Sequence, residues 1–514
     1  MAGQVREGWR RLELGFGAAS IKTGVRKFLR DPENRRGMQM REGFEPGRVN
    51  TRGWKKVKVE FTGGPLSIAV PPSAVELAMK KAESPKNVPQ AIADALANPL
   101  GGRTLSRIVA AKGKPADRLT VAVTISDITR PVPYKGKNGF MGPLLRQLLA
   151  LGIPRENIRI IVGTGTHRPS TAAEKIEMLG QEVAEGYTVL DHDCEDRPSL
   201  VFVGKTAAGT EVFLNKVFQE ADIKIVTGLT ESHFMAGASG GRKAVCPALV
   251  DLRTIQKFHS PDFLESEKAT NLVFEGNPCH EEALAIAKTV GVDFTITATL
   301  DSHMRLTGIF AGDLERVLDE AVKKIRTYVE IPVAQEFDIV LTHGGYVGRN
   351  HYQLAKAAVG ALPAVKKGGT VIIAADNRDA EPIGGAEYKT LIHLLKIQGP
   401  EGYVQVLRSP SWKFTKDQWE PEVWGRVLRK VGETGLIYCA ADIPPKDFVI
   451  LPGVSGHEFL SSGGKRKNRA KQVQEMVQNA VLYSYQACVE KKITPRVAFI
   501  REGPYAVPVK RDLA

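Results

Sequence analysis

The chain has 514 residues, 43% of them apolar and 25% charged, which is enough for two or three domains with cores of their own. No apolar run reaches membrane-spanning length, and the five scattered cysteines (Cys194, Cys246, Cys279, Cys439, Cys488) form no CxxC pair, which speaks against a disulfide framework and a cysteine zinc site. The net charge of +14 fits a solvated face with a basic N-terminal arm, an anion-handling site or a nucleic acid partner. No nucleic-acid-binding module is visible, so the last is the weakest reading.

In chain order, residues 1–50 read as a basic extension of weak periodicity, part helical and part disordered. The N-terminus carries no apolar stretch before a cleavage site, so the protein is expected in the cytoplasm, with no membrane partner. Residues 57–61 and 66–70, split by Thr62-Gly63-Gly64-Pro65, predict a β-hairpin, and 75–97 has helical spacing. A pattern then recurs: an apolar β-branched run, a polar loop, a helical stretch. The runs are 119–125, 158–162, 223–226, 338–341, 370–375 and 448–451. Helical spacing also covers 313–329 and 470–490. The alternation predicts an α/β fold of two domains with mostly parallel sheets, with the active site in the cleft between them. The predicted division is 51–331 for cofactor and substrate, 332–440 closing the site, and 441–514 returning to the first domain. In such sheets ligands lie beyond the carboxyl ends of strands. The polar residues fall there.

The segment 231–260, ESHFMAGASGGRKAVCPALVDLRTIQKFHS, concentrates the chemistry. Ser239, Gly240, Gly241 and Arg242 lead into Lys243 and are read as cofactor contacts, since glycines let a backbone approach an anion closely. The spacing is neither GxxxxGK[ST] nor GxGxxG; read alone, it fits a tight loop as well. His233 and His259 can serve proton transfer or metal ligation. No HExxH accompanies them, so a protein-only metal centre is poorly supported; one histidine can still serve where a cofactor supplies the remaining ligands. Asp127 and Arg130, three apart in SDITRP, suit a carboxylate-binding fork or a local salt bridge. His167, after Gly163-Thr-Gly-Thr166, suits an acid/base or a hydrogen-bonded loop residue. Tyr352, Gln353 and Lys356 would share a helix, with Lys356 either on a carboxylate or in solvent.

Together and in this order, SDITRPVP, GTGTHRPST, ESHFMAGASGGRK, KFHS and NHYQLAKAAVG resemble the nickel-pincer lactate racemase family. The resemblance implies a racemase or epimerase of a 2-hydroxy carboxylic acid, lactate-like, malate-like or a sugar acid. It implies a nickel-pincer nucleotide, nickel on a pyridinium dithio-carboxylic mononucleotide tethered to Lys243, and so cofactor maturation proteins as partners. By the same resemblance His259 is the metal ligand and His167 and His233 are catalytic. Asp127, Arg130, Tyr352, Gln353 and Lys356 bind substrate, the last three from the second domain. Met235 and Ala238 are expected to shape the pocket. The positive character of Arg349 and His351 is expected to favour a bulkier or dianionic acid. Two alternatives stand beside this reading: a dehydrogenase-like relative using another cofactor, and a non-enzymatic binder of nucleic acid or an acidic partner.

Overall fold

Apolar side chains at every second position build the first sheet. It is the predicted hairpin, β1 (Lys55–Val59) and β2 (Leu66–Val70), with Val57 opposite Ile68 and Val59 opposite Leu66. The structure, a computed structural model, describes Phe44 and residues 46–511 apart from Ser462, Lys465 and Arg466. The basic extension at 1–50 thus lies outside the described residues, save Phe44 and 46–50. The helical spacing read over 75–97 resolves differently. Its first residues form strand β3 (Val75–Leu77), and helix α1 (Val88–Ala97) begins at Asn87, whose side chain accepts from the Gln90 N–H.

The chain divides into two compact units, one spanning Lys80–Tyr328 and one formed by the described residues before and after it. The middle unit holds β4 (Val121–Ser126), α2 (Met141–Ala150), β5 (Ile158–Gly163) and β6 (Thr188–Asp191). A hairpin of β7 (Leu200–Lys205) and β8 (Glu211–Asn215) follows, then β9 (Ile223–Leu229) and a short hairpin of β10 (Ser232–His233) and β11 (Gly237–Ala238). Next come α3 (Leu252–Phe258), α4 (Pro278–Val290), β12 (Phe294–Leu300), β13 (Leu306–Gly312) and α5 (Leu314–Val329). Its six-stranded sheet runs β13-β12-β9-β4-β5-β6, parallel except for β13. The β-branched runs are buried on both faces, which is why they read as continuous rather than alternating. Val121, Val123, Ile125, Ile158, Ile160, Ile223, Ile225 and Ile296 pack against Leu144, Leu145 and Leu148 of α2. Burying each such side chain stabilises the unit by roughly 1.5–3 kcal/mol.

The other unit adds β14 (Glu330–Val333), β15 (Phe337–His343), α6 (His351–Gly360), β16 (Val365–Ala375), α7 (Ala386–Leu407), α8 (Trp419–Val431), β17 (Leu436–Ala440) and β18 (Val454–Ser455). It ends with α9 (Arg469–Glu490), β19 (Val497–Ile500) and β20 (Val507–Lys510). Its sheet is wholly parallel, in the order β18-β17-β16-β15-β19-β3.

The structure corrects three expectations. Residues 441–514 do not return to the first domain: β19 inserts between β15 and β3, and Val473, Met476, Val477, Ala480 and Val481 of α9 cover Ile339, Ile372 and Ile437. The hairpin at 55–70 joins the same core, so 51–79 belongs here too. The run at 448–451 is no strand. Pro444 and Pro445 start a 3-10 turn over Pro445–Ile450, closed by the Asp447 N–H on the Pro444 carbonyl. Among the described residues no helix is long and apolar enough to cross a membrane.

Candidate active site

β4 and β5 pair with Ser126 opposite Gly163, so the loops that follow them leave the sheet side by side. The buried Tyr134 hydroxyl accepts from the Ser126 N–H at 2.7 Å and pins the first loop. Asp127 follows at once, buried. One oxygen accepts from the Thr129 N–H and hydroxyl (3.2 and 2.6 Å); the other meets His167 Nδ1 at 2.6 Å. Burial alone would raise this carboxyl. The hydrogen bond and charge of His167, with Thr129 and Arg130, outweigh it and hold the group below its ordinary value. A carboxylate on Nδ1 fixes the His167 ring and leaves the lone pair on Nε2, the form a general base needs. The His167 side chain is about half exposed. Asp127 therefore does not orient Arg130 by a hydrogen bond, as the SDITRP spacing suggested; its oxygens are used by Thr129 and His167. Arg130 instead forms an ion pair with Glu231, which follows β9.

Past β9 the chain folds back on itself. Across the β10–β11 hairpin the Ser239 N–H donates to the Glu231 carbonyl and the Glu231 N–H donates to the Ser239 hydroxyl, which in turn donates to the Leu229 carbonyl at 2.7 Å. His233, buried on β10, accepts the Met235 and Ala236 N–H groups at Nδ1 (3.2 and 3.3 Å) and stacks on Phe234. In the neutral ring this puts the proton on Nε2, the opposite tautomer to His167. Gly240 has φ +78°, and a Cβ there would lie 2.6 Å from the Thr230 hydroxyl oxygen and 3.0 Å from the Leu229 carbonyl. That glycine is required by the close approach of this loop to β9. Arg242 is fully buried and donates to the Ala236 and Gly240 carbonyls (2.6 and 3.4 Å). Ser239, Gly240 and Arg242, read from sequence as ligand contacts, thus hold the loop that presents Lys243.

Lys243 lies on a 3-10 turn over Gly241–Ala244, its Nζ 4.8 Å from the centre of the Phe258 ring. Burial, then the charges of Arg242 and Arg130, push its amine down to about 7, towards the neutral, nucleophilic form. His259 closes α3, whose Asp251 cap accepts from the Thr254 N–H. It is buried, with Nδ1 on the Ile255 carbonyl at 3.0 Å. Burial first, then the nearby charges of Lys243 and His167, push its imidazole down to about 3. A neutral ring anchored at Nδ1 presents its Nε2 lone pair, the arrangement of metal-ligating histidines. The loops of the middle unit thus gather Asp127, Arg130, His167, His233, Lys243 and His259 at the carboxyl edge of one sheet. Lys243 feels Arg130, and His259 feels both Lys243 and His167.

Tyr352, Gln353 and Lys356 belong to the other unit, on α6 behind the Asn350 cap. The Tyr352 hydroxyl accepts from Trp419 Nε1 at 3.2 Å. Lys356 faces Glu420, a buried carboxyl of α8 that the sequence reading passed over. Burial pushes that acid up to about 8, with Lys356 drawing it down and Asp417 raising it. Of the positive character expected of Arg349 and His351, only that of Arg349 remains, and it is paired. Arg349 pairs with Asp379 at 3.0 Å, while His351 is buried against Trp424, pushed down to about 3 and neutral. His351 therefore adds no charge towards a dianionic acid. Met235 and Ala238 are buried in the loop and against Leu318 and Val322 respectively.

Two family models match in the order of the chain: the lactate racemase N-terminal domain over residues 62–271 and the lactate racemase C-terminal domain over 333–446. A lactate racemase of Lactiplantibacillus plantarum is 33% identical over 342 residues, covering 66% of this chain and 77% of that protein. The chain belongs to the lactate racemase family. It is accordingly an isomerase, which sets aside the non-enzymatic alternative. A lactate racemase of Thermoanaerobacterium thermosaccharolyticum is 30% identical over 337 residues, 65% of this chain and 76% of that one. Among solved structures, the lactate racemase apoprotein of Thermoanaerobacterium thermosaccharolyticum shares the fold. Its TM-score is 0.73 at 23% identity, covering 89% of this chain and all of that one. A Thermotoga maritima protein follows at TM-score 0.56 and 16% identity, covering 84% of this chain and all of that one.

Proposed function

We propose that this enzyme interconverts the stereoisomers of a 2-hydroxy carboxylic acid, lactate or a relative of it, using a nickel-pincer nucleotide carried on Lys243. The observation that carries this is the nearness of Lys243, its amine 4.8 Å from the centre of the Phe258 ring, to His259, the residue after Phe258, whose Nδ1 is anchored on the Ile255 carbonyl at 3.0 Å. Among the described residues no group of three or more His, Cys, Asp or Glu side chains converges on a metal position. A single imidazole with an acylatable amine fits a group that brings its remaining donors with it. His259 would supply the protein's ligand and Lys243 the covalent attachment, and the proteins that build the group are the implied partners.

When bound, the group supplies a hydride acceptor, which no side chain offers. The residues of the chain then have defined work. His167 takes the hydroxyl proton at Nε2, and Asp127 stabilises the resulting imidazolium through Nδ1. In the other orientation of the substrate the Nε2–H of His233 donates a hydrogen bond to the same oxygen, and the His167 imidazolium returns the proton. Arg130 holds the carboxylate so that the planar keto acid stays bound. The test is the mass of the Lys243 peptide from protein produced with nickel and the maturation proteins. The expected result is a sulfur-bearing pyridinium mononucleotide on Lys243, absent in Lys243→Ala. An unmodified Lys243, in cells that load a known racemase, would contradict the tether and favour the dehydrogenase-like reading.

A further inference from the structure

Arg130 and Glu231 are 101 residues apart in sequence, yet their side chains form a direct ion pair with each only about 30% exposed. The two come from loops after adjacent parallel strands, β4 and β9. Glu231 is itself held at both backbone groups: its N–H donates to the Ser239 hydroxyl at 3.0 Å, and its carbonyl accepts the Ser239 N–H at 2.9 Å. Ser239 in turn precedes Gly240, which caps the turn that carries Lys243. A fixed carboxylate therefore joins the arginine loop to the lysine loop. Arg130 also acts on the charges of Asp127 and Lys243, which places its guanidinium among the reactive groups.

We propose that Glu231 is a positioning residue that sets the Arg130 guanidinium for the carboxylate of a 2-hydroxy acid. The inference rests on Arg130 being the carboxylate-binding group, as argued above. A guanidinium carries five N–H donors in a rigid plane; Glu231 engages those on Nη1, and the rest of the fork can receive a second carboxylate. A long side chain ordered before substrate arrives loses less freedom on binding, so the ion pair lowers the cost of forming the complex. The opposite role is also physically defined: a carboxylate beside Arg130 could compete with substrate and weaken binding. The fixed backbone of Glu231 favours orientation, because a competing group must swing away.

The decisive experiment is steady-state racemisation by the loaded Glu231→Gln enzyme, with Lys243 loading checked by mass and a 2-hydroxy amide tested as an uncharged inhibitor. The expected result is a KM for the acid raised on the order of tenfold, a kcat changed less than about threefold, and an unchanged Ki for the amide. A KM that is unchanged or lower overturns the proposal, the lower value marking Glu231 as a competitor. An equal loss for acid and amide overturns it as a general distortion of the site. If Glu231→Gln does not fold, Glu231→Asp, which keeps the charge one methylene short, is measured against the same expectations. A loaded wild-type enzyme that turns over no 2-hydroxy acid defeats the functional reading first, and this proposal with it.

Discussion

Two carboxylates next to cations, and two histidines in opposite tautomers, carry most of the chemistry proposed here. Asp127→Asn removes the charge that steadies the His167 imidazolium and allows the wrong tautomer. It should lower kcat by about 10²–10⁴-fold with Lys243 still loaded. A loss under threefold would make Asp127 structural. His259 gives a pH test on the apoprotein. Its folded-state pKa, about 3, lies below the ordinary histidine value of 6.5, so the unfolded chain binds the proton first as pH falls. The stability that a neutral His259 contributes is full above pH 6.5 and is lost as the pH drops towards 3. Urea denaturation at a series of pH values should show a shallower acid slope in His259→Gln than in the wild type; equal slopes would mean that His259 charges readily. The sequence displayed the residue types but not their pairing. Asp127 and Arg130 look like partners at a spacing of three, whereas each turns to a residue 40 or 101 positions away. Glu420 was hidden for the same reason, since nothing local marks an acid that only tertiary packing buries.

The glycine-rich turn is the element that sets Lys243. Gly240→Ala forces a β-carbon against the Thr230 hydroxyl at a positive φ. A cost of about 1–3 kcal/mol and reduced loading of Lys243 are expected. Gly53→Ala, also at positive φ (+82°) but with nothing within 4 Å, should cost less and leave loading intact. Thermal melts and the mass of the Lys243 peptide check both; equal losses would remove the packing argument. Buried β-branched runs such as 158–162 and 223–226 were legible because a parallel strand covered on both faces has a composition of its own. Residues 75–77 and 448–451 were not. A three-residue edge strand is too short for its period to show, and the effect of two prolines on the apolar run after them depends on the turn they start.

At the scale of the whole chain, the segments that flank the middle unit in sequence build a single sheet. Parallel neighbours are joined by long crossovers, so sequence order says little about which distant strand fills a gap, and β19 between β15 and β3 could not be read from its four residues. A chain ended at Ala440 would lose β18, α9, β19 and β20. Hydrogen exchange should then show residues 80–328 still protected and 329–440 open; protection of both would restore the original division.

The central claim, racemisation of a 2-hydroxy acid without proton loss from its α-carbon, is tested most directly by turnover of the loaded enzyme in D2O. Hydride transfer predicts that each product enantiomer keeps the substrate's own α-hydrogen, with no solvent deuterium at that carbon. Deuterium appearing at the α-carbon in step with racemisation would contradict the account.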